Sequence, residues 1–160
     1  MKKRTLILAL LMAIFMVGCG NKDIKETNGS QTMNSEQGYD TQISELDNYM
    51  TSIKKESDSI KKSLENEELT QTEMNIKSQE LYDLWDGALN DLWDKLQYNL
   101  SEEEFSKLLD EQRTWIAEKE KFVEEAGKEV EGGSLYSLVV NMEAAKITEE
   151  RVYELYELLN

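Results

Sequence analysis

The fold is decided by the stretch WDGALNDLWDKL, which runs from Trp85 to Leu96. Its large apolar residues recur at intervals of three and four, the spacing that gathers side chains on one face of an α-helix. The pattern extends upstream and predicts a helix from Thr70 or Thr72 to about Asn99. The apolar positions of this helix are Met74, Leu81, Leu84, Trp85, Ala88, Leu89, Leu92, Trp93 and Leu96. Gly87 weakens the helix by ~1 kcal/mol relative to alanine and would let a neighbouring helix approach closely.

Two more helices are predicted downstream. Ser101 and Glu104 form a capping-box pattern, and acids in the first turn suit the positive end of a helix dipole. This third helix is expected to end at Gly132-Gly133, after which Ser134 is placed to cap a last helix. The apolar faces consist of Phe105, Leu108, Leu109, Ile116 and Val123 (with Gln112 beside them), and of Leu135, Leu138, Val139, Met142, Ala145, Val152, Leu155 and Leu159.

A heptad pattern occupies residues 40–67. Its apolar positions are Ile43, Leu46, Met50, Ile53, Ile60 and Leu64, and Ser57 is the one polar interruption. Because the apolar stripe is narrow, we expect this helix to dock either on the rest of the domain or on another chain. A solvent-exposed stalk fits the pattern less well.

The connections around Asn99–Leu100 and Glu131–Gly133 are short, which makes consecutive helices antiparallel neighbours. The chain also lacks proline, the commonest helix breaker. We therefore predict an all-α fold, an up-and-down antiparallel bundle of three long helices with the amphipathic helix of residues 40–67 as a fourth, N-terminal member.

The N-terminal segment has the features of an export signal. Three basic residues at positions 2–4 precede an apolar run of 13 residues, Thr5 to Val17. This run is too short for a helix to cross a bilayer core of about 30 Å. The following Gly18-Cys19 resembles a lipobox, in which the signal is cut before a cysteine that takes a diacylglycerol, although Met16 stands where leucine is usual. The alternative is an ordinary signal and a lone buried cysteine.

These features predict the domain organisation and the location of the protein. The predicted parts are a signal peptide over 1–18, the lipidated Cys19 with a polar, flexible tether over 19–39, and a helical domain over 40–160. The protein is then expected in the cell envelope, lipid-anchored to the membrane on the extracytoplasmic side.

The composition limits the possible chemistry. With no histidine and one cysteine, zinc sites of His and Cys, Cys-His nucleophiles and Ser-His-Asp triads are not available, and we expect no metal and no cofactor. The formal charge is −15, and it becomes −18 if three basic residues leave with the signal. Such a surface repels nucleic acid and attracts cationic partners, although the same acidity also keeps an exported protein soluble.

Four spaced motifs resemble those of one protein family. They lie at residues 85–96, at 108–116, at Gly133-Ser134 and at 148–151. Their order is similar to that of the lysozyme inhibitor LprI family, over a core of about residues 81–159. The matching positions are Asp86, Leu89, Asn90, Trp93, Leu96, Leu108, Gln112, Arg113, Trp115, Gly133, Ser134, Thr148 and Arg151. Many members have a cysteine pair at positions held here by Val123 and about Glu143, so that bridge is absent.

Two roles are open for the polar motif residues. Asp86 and Asn90 are four apart on one helical face. We favour a structural role, in which they meet Arg113 or Arg151 across the bundle, because a buried carboxylate needs a partner. The alternative is direct contact with a target. Three tryptophans are likewise expected in the core rather than on a binding platform, namely Trp85, Trp93 and Trp115.

Two other kinds of site fit the sequence poorly. The acids around Gly87 lack the spacing of a calcium loop. Glu102–Glu104 and Glu149–Glu150 could supply the paired carboxylates of glycoside hydrolysis, but 33 acids produce such pairs by chance. We therefore predict that the protein is not an enzyme and has no small-molecule substrate.

The resemblance implies a surface-anchored lipoprotein that binds and inhibits lysozyme. The expected partners are lysozyme or another cationic protein, and the membrane through the lipid anchor. Loop tips are the natural contact sites, here Glu131, Gly132, Gly133 and Ser134, together with Asn99–Glu102. The alternative function is an envelope scaffold module that binds another protein through the heptad face of residues 43–64.

Overall fold

The computed structural model describes residues 35–160, with side chains from residue 44 onward. The helices are α1 (Ser35–Asn66), α2 (Gln71–Asn99), α3 (Glu102–Gly127) and α4 (Tyr136–Glu157), and a 3₁₀ turn, Lys128–Val130, follows α3. This part of the chain has no strand, which confirms the predicted all-α class. α1 begins five residues before the predicted Asp40. Cys19 and the predicted signal peptide lie outside the described residues.

The four helices run alternately up and down, as predicted, but the closest pair is not consecutive in sequence. α2 and α4 make the most extensive contact in the bundle. They run parallel, since Asn141 donates a hydrogen bond to Ser78 near their beginnings and Tyr153 packs against Trp85 further along. α1 packs antiparallel on α2, and α3 packs antiparallel on α4. The α2/α4 pair is central because these helices have the widest buried faces.

The hydrophobic core joins α2 to its neighbours. Its buried members are Leu46, Met50, Leu81, Trp85, Ala88, Leu89, Leu92, Leu96, Leu108, Ala145, Val152 and Leu155. Full burial of an aliphatic or aromatic side chain stabilises the fold by about 1.5–3 kcal/mol. Most of these buried residues belong to the apolar faces that the sequence predicted for α2 and α4.

The heptad face of α1 packs inside the chain. Leu46 and Met50 are buried against α2, and Ile53 and Ile60 are half-buried beside them. Ser57, the polar interruption of the heptad, accepts a hydrogen bond from Trp85 Nε1 at 3.1 Å. A buried indole N–H needs a hydrogen-bond acceptor, and Ser57 provides one for Trp85 within the otherwise apolar heptad face.

Capping boxes begin α2 and α3. The Glu104 N–H donates to Ser101 Oγ at 3.4 Å, and the Ser101 N–H donates to Glu104 Oε2 at 3.0 Å, which confirms the predicted start of α3. Thr70 and Glu73 form the same arrangement at the start of α2. The pKa values of Glu73 and Glu104 are lowered, mainly by the hydrogen bond from the capping hydroxyl and to a smaller extent by the hydrogen bond from the backbone N–H.

The end of α3 differs from the prediction. The helix stops at Gly127, five residues before Gly132. A Cβ atom on Gly127 would lie 2.8 Å from the ring of Tyr136 and 2.9 Å from Val140 Cγ1, whereas the space around Gly87 is open. The close helix approach predicted at Gly87 therefore occurs at Gly127.

The prediction that Ser134 caps α4 is wrong. Leu135 occupies the N-cap position, and no side chain there makes a capping hydrogen bond. The carbonyl of Ser134 instead accepts from Asn75 Nδ2 at 3.4 Å. The 3₁₀ turn brings the chain to the side of α2, so that the backbone of Ser134, and not its hydroxyl, makes the contact.

Candidate partner-binding site

Three polar motif residues lie in the interior between α3 and α4. Arg151 Nε donates to Gln112 Oε1 at 3.0 Å, and these residues are only 8% and 6% exposed. Arg151 Nη1 reaches outward to Glu154 at 2.7 Å. Thr148, one turn before Arg151, has no exposed surface. The Gln112–Arg151 hydrogen bond thus links α3 to α4 and leaves these side chains unavailable to a partner.

The predicted pairing of Asp86 with Arg113 or Arg151 is wrong, because a lysine on α3 takes that place. Lys119 Nζ lies 3.9 Å from Asp86 Oδ1, which also accepts from the Tyr82 hydroxyl at 3.2 Å. The same ammonium lies over the rings of Tyr82 and Trp115, 5.1 and 4.9 Å from their centroids. Such contacts are attractive because the faces of aromatic rings carry partial negative charge, and the contacts with Asp86 and Tyr82 tie α3 to α2.

Burial shifts the pKa values in this cluster. It lowers the pKa of Lys119, against the opposing effect of Asp86, and it raises the pKa of Tyr82 to about 12. Sequence reasoning missed Lys119 because it stands among acids and resembles a residue of a solvated face. Its position four residues after Trp115, on the same side of α3, was the available signal.

Two motif residues are exposed and bond within their own helices. Asn90 Nδ2 donates to the Asp86 carbonyl at 2.8 Å, and Arg113 Nη1 donates to Asp110 at 3.0 Å. Of the motif tryptophans, Trp93 is half-buried and packs on Phe105 with centroids 5.2 Å apart. Asn90 does not reach an arginine across the bundle, contrary to the prediction.

The predicted contact turn, Glu131–Ser134, is exposed throughout. Gly132 has φ +77°, a left-handed conformation that favours glycine, and the Gly133 N–H donates to the Val130 carbonyl at 3.0 Å. Leu135 and Tyr136, the next residues, are partly exposed apolar side chains. We name this end of the bundle, with the 3₁₀ turn and the start of α4, the turn end.

A groove of about 780 Å³ opens toward the opposite end, between residues 45–49 of α1, the last turns of α2 and the two residues that follow α4. The residues that line it are Glu45, Leu46, Tyr49, Asp91, Asp94, Lys95, Asn99, Leu100, Leu158 and Leu159. Leucines supply its apolar surface, and three exposed carboxylates, of Glu45, Asp91 and Asp94, lie among them. We call it the acidic groove, and this end the groove end.

Tyr49 holds one side of the acidic groove in place. Its hydroxyl donates to Asp91 Oδ2 at 2.6 Å, which joins α1 to α2. Burial and this hydrogen bond raise the pKa of Tyr49, so that it stays a neutral donor. The sequence analysis included Asn99 and Leu100 among the loop candidates but missed the groove, because its lining comes from three distant segments.

Three of the five acids considered for catalysis, Glu103, Glu104 and Glu149, have structural partners. Glu149 Oε2 accepts from Lys61 Nζ at 2.6 Å, which links α4 to α1, and Glu104 belongs to a capping box. Within residues 44–160, no group of three or more His, Cys, Asp or Glu side chains is arranged to hold a metal ion.

A family model described as "Lysozyme inhibitor LprI" matches residues 63–155, more than half of the chain. The chain belongs to the LprI family. This LprI region comprises the last turn of α1, all of α2 and α3, and most of α4, and therefore includes both the Gln112–Arg151 and the Asp86–Lys119 contacts. The acidic groove extends beyond it, since Glu45, Tyr49 and Leu158 lie outside the matched residues. No curated protein and no solved structure matches the chain.

Proposed function

We propose that the protein is a lipoprotein, anchored in the cell envelope, that binds and inhibits lysozyme. The observation that carries the proposal is the LprI match over residues 63–155. The lipid anchor rests on Cys19 and the export-signal features before it. None of the helices between residues 35 and 160 is long and apolar enough to cross a membrane.

The charge of the protein supports a cationic partner. The formal charge is −15, and α3 alone has nine acidic and four basic residues. Most of these acids are exposed, so their field reaches solvent and accelerates the encounter with a positively charged protein. Salt screens this attraction over about 8 Å at physiological ionic strength. Specific inhibition therefore also needs close contacts.

The heptad face of α1, which favoured the scaffold alternative, packs inside the bundle. Leu46 and Met50 of the heptad face are buried against α2, and Leu64 is half-buried. These side chains are not free to pair with another chain unless α1 detaches from the bundle. Lysozyme inhibition is therefore the single function we propose.

The direct test is a titration of the purified full-length protein into lysozyme that is digesting peptidoglycan. It is run at low and at physiological salt, beside an unrelated protein of equal negative charge. We expect inhibition that persists at physiological salt and that the control lacks. Inhibition shared by the control, or no inhibition at all, would contradict the proposal.

The lipid anchor has a separate test, the Cys19→Ser substitution. The wild-type protein should incorporate labelled fatty acid and sediment with membranes, and the Cys19→Ser protein should do neither, because serine lacks the thiol that takes the diacylglycerol. A Cys19→Ser protein that still incorporates the label would contradict lipidation at this residue.

A further inference from the structure

We infer that the acidic groove receives a basic loop of the lysozyme, with an arginine or lysine side chain along its leucines and the charged head at Asp91 and Asp94. This inference rests on the proposed function and names the surface that performs it. The groove lies at the end of the bundle opposite to the turn Glu131–Ser134, so the two surfaces can be tested separately.

The apolar part of the groove suits the stem of a long basic side chain. Leu46, Leu100 and Leu159 line it, and Leu158, which is 54% exposed, lies at its opening. Arginine and lysine pack their methylene stems on apolar surface while the charged group stays among polar atoms. Docking would remove the exposed surface of Leu158 from water and so favour binding.

The charged part of the groove selects a cation. Lys95 is the one base among the described residues that line it, against three carboxylates. The side chains of Glu45 and Asp94 make no hydrogen bond or ion pair with another residue between 44 and 160, while the Asp91 carboxylate accepts a hydrogen bond from Tyr49. A carboxylate fixed before binding loses little conformational freedom when it pairs with a guanidinium, and this favours affinity.

The turn end lacks this combination. Its exposed apolar residues Leu135 and Tyr136 follow a convex turn in which Lys128 offsets one of the two acids, Glu129 and Glu131. The groove end also has three consecutive glutamates, Glu102–Glu104, at the start of α3. The groove end therefore combines a concave leucine surface with exposed carboxylates, which the exposed turn Glu131–Ser134 does not.

Affinity for lysozyme at physiological salt, measured by calorimetry with the full-length protein, tests the inference through two matched pairs. Asp94→Asn is paired with Asp83→Asn, the same change of charge on the same helix outside the groove. Leu158→Ser is paired with Leu135→Ser, an exposed leucine at the turn end. We expect each groove variant to weaken binding by about tenfold and each matched variant by less than about twofold, as for contact and non-contact residues of an interface.

Each outcome decides the question. Equal losses in Asp94→Asn and Asp83→Asn would reduce the effect to overall charge and overturn the inference, as would a loss in Leu135→Ser without one in Leu158→Ser. If the wild-type protein binds lysozyme and no groove variant changes the affinity, only the groove is wrong. If the wild-type protein does not bind lysozyme, the proposed function fails and the inference with it. All four side chains are exposed, and thermal unfolding checks that each variant keeps the fold.

Discussion

At the groove end, three segments that are far apart in sequence meet around a concave surface with leucines and carboxylates. At the turn end, one continuous segment, residues 128–136, forms an exposed turn followed by Leu135 and Tyr136. The turn is local, and its glycines are visible in the sequence. The groove depends on how α1, α2 and α4 pack, and no short motif indicates it. A loop-based search for a binding site therefore favours the turn end, whereas the concave surface with its leucines and carboxylates favours the groove end.

The largest expected effect is the loss of stability in Leu46→Ala. Leu46 is buried in the core and also lines the acidic groove. Replacing a buried leucine by alanine typically costs about 2–5 kcal/mol, and the enlarged groove should also bind lysozyme less tightly. The control is Leu64→Ala on the same helix, where the half-buried side chain should cost less. Denaturant unfolding that ranks Leu64→Ala as the more damaging change would contradict this account of the groove end.

At the turn end, Gly127→Ala should destabilise the bundle by about 1–3 kcal/mol, because the new methyl group overlaps the Tyr136 ring and Val140. Gly87→Ala is the control, and it should stabilise α2 by about 0.5–1 kcal/mol because the surrounding space is open. Thermal unfolding measures both. Lysozyme affinity should stay unchanged in Gly127→Ala if the groove end makes the contact, and a large loss of affinity would move the contact to the turn end.

The capping boxes provide one comparable site near each end. Ser101→Ala near the groove end and Thr70→Ala near the turn end should each cost about 1 kcal/mol. Thermal unfolding measures both costs, and equal costs would indicate that α2 and α3 are similarly anchored. A negligible cost at either site would contradict the stabilising role of that cap.

The capping glutamates add a pH dependence to stability. The pKa values of Glu73 and Glu104 are lowered in the folded state from the ordinary 4.5. Their contribution is therefore present above pH 4.5 and is lost as the pH falls through the lowered folded-state values. The free energy of unfolding should decline less steeply below this pH in Glu104→Gln than in the wild-type protein. Identical pH profiles would contradict the assignment.

The smallest expected effect concerns the turn predicted from the sequence to contact the partner. Glu131→Gln should change lysozyme affinity by less than about twofold, since an exposed charge outside the interface contributes mainly to long-range attraction. Calorimetry beside Asp94→Asn gives the comparison. A loss larger than that of Asp94→Asn would restore the turn as the binding site.

Helix faces were predictable from sequence because the spacing of apolar residues follows the geometry of a single helix. The face of α2 from Leu81 to Leu96 and the cap at Ser101 needed no knowledge of neighbours. Contacts between helices were less predictable. The parallel contact of α2 with α4, the partner of Asp86 and the close approach at Gly127 all depend on helix rotation and register, which apolar spacing leaves open. The acidic groove could not be predicted for the same reason, since it exists only once residues 45–49 of α1 lie beside the last turns of α2 and the end of α4.

The most direct test of the central claim is hydroxyl-radical footprinting of the full-length protein, alone and bound to lysozyme. The oxidation rates of Leu158 and Leu135 are compared, because these leucines are 54% and 45% exposed at opposite ends of the bundle. We expect lysozyme to protect Leu158 and to leave Leu135 unchanged. Protection of Leu135 with Leu158 still exposed would contradict binding at the groove end.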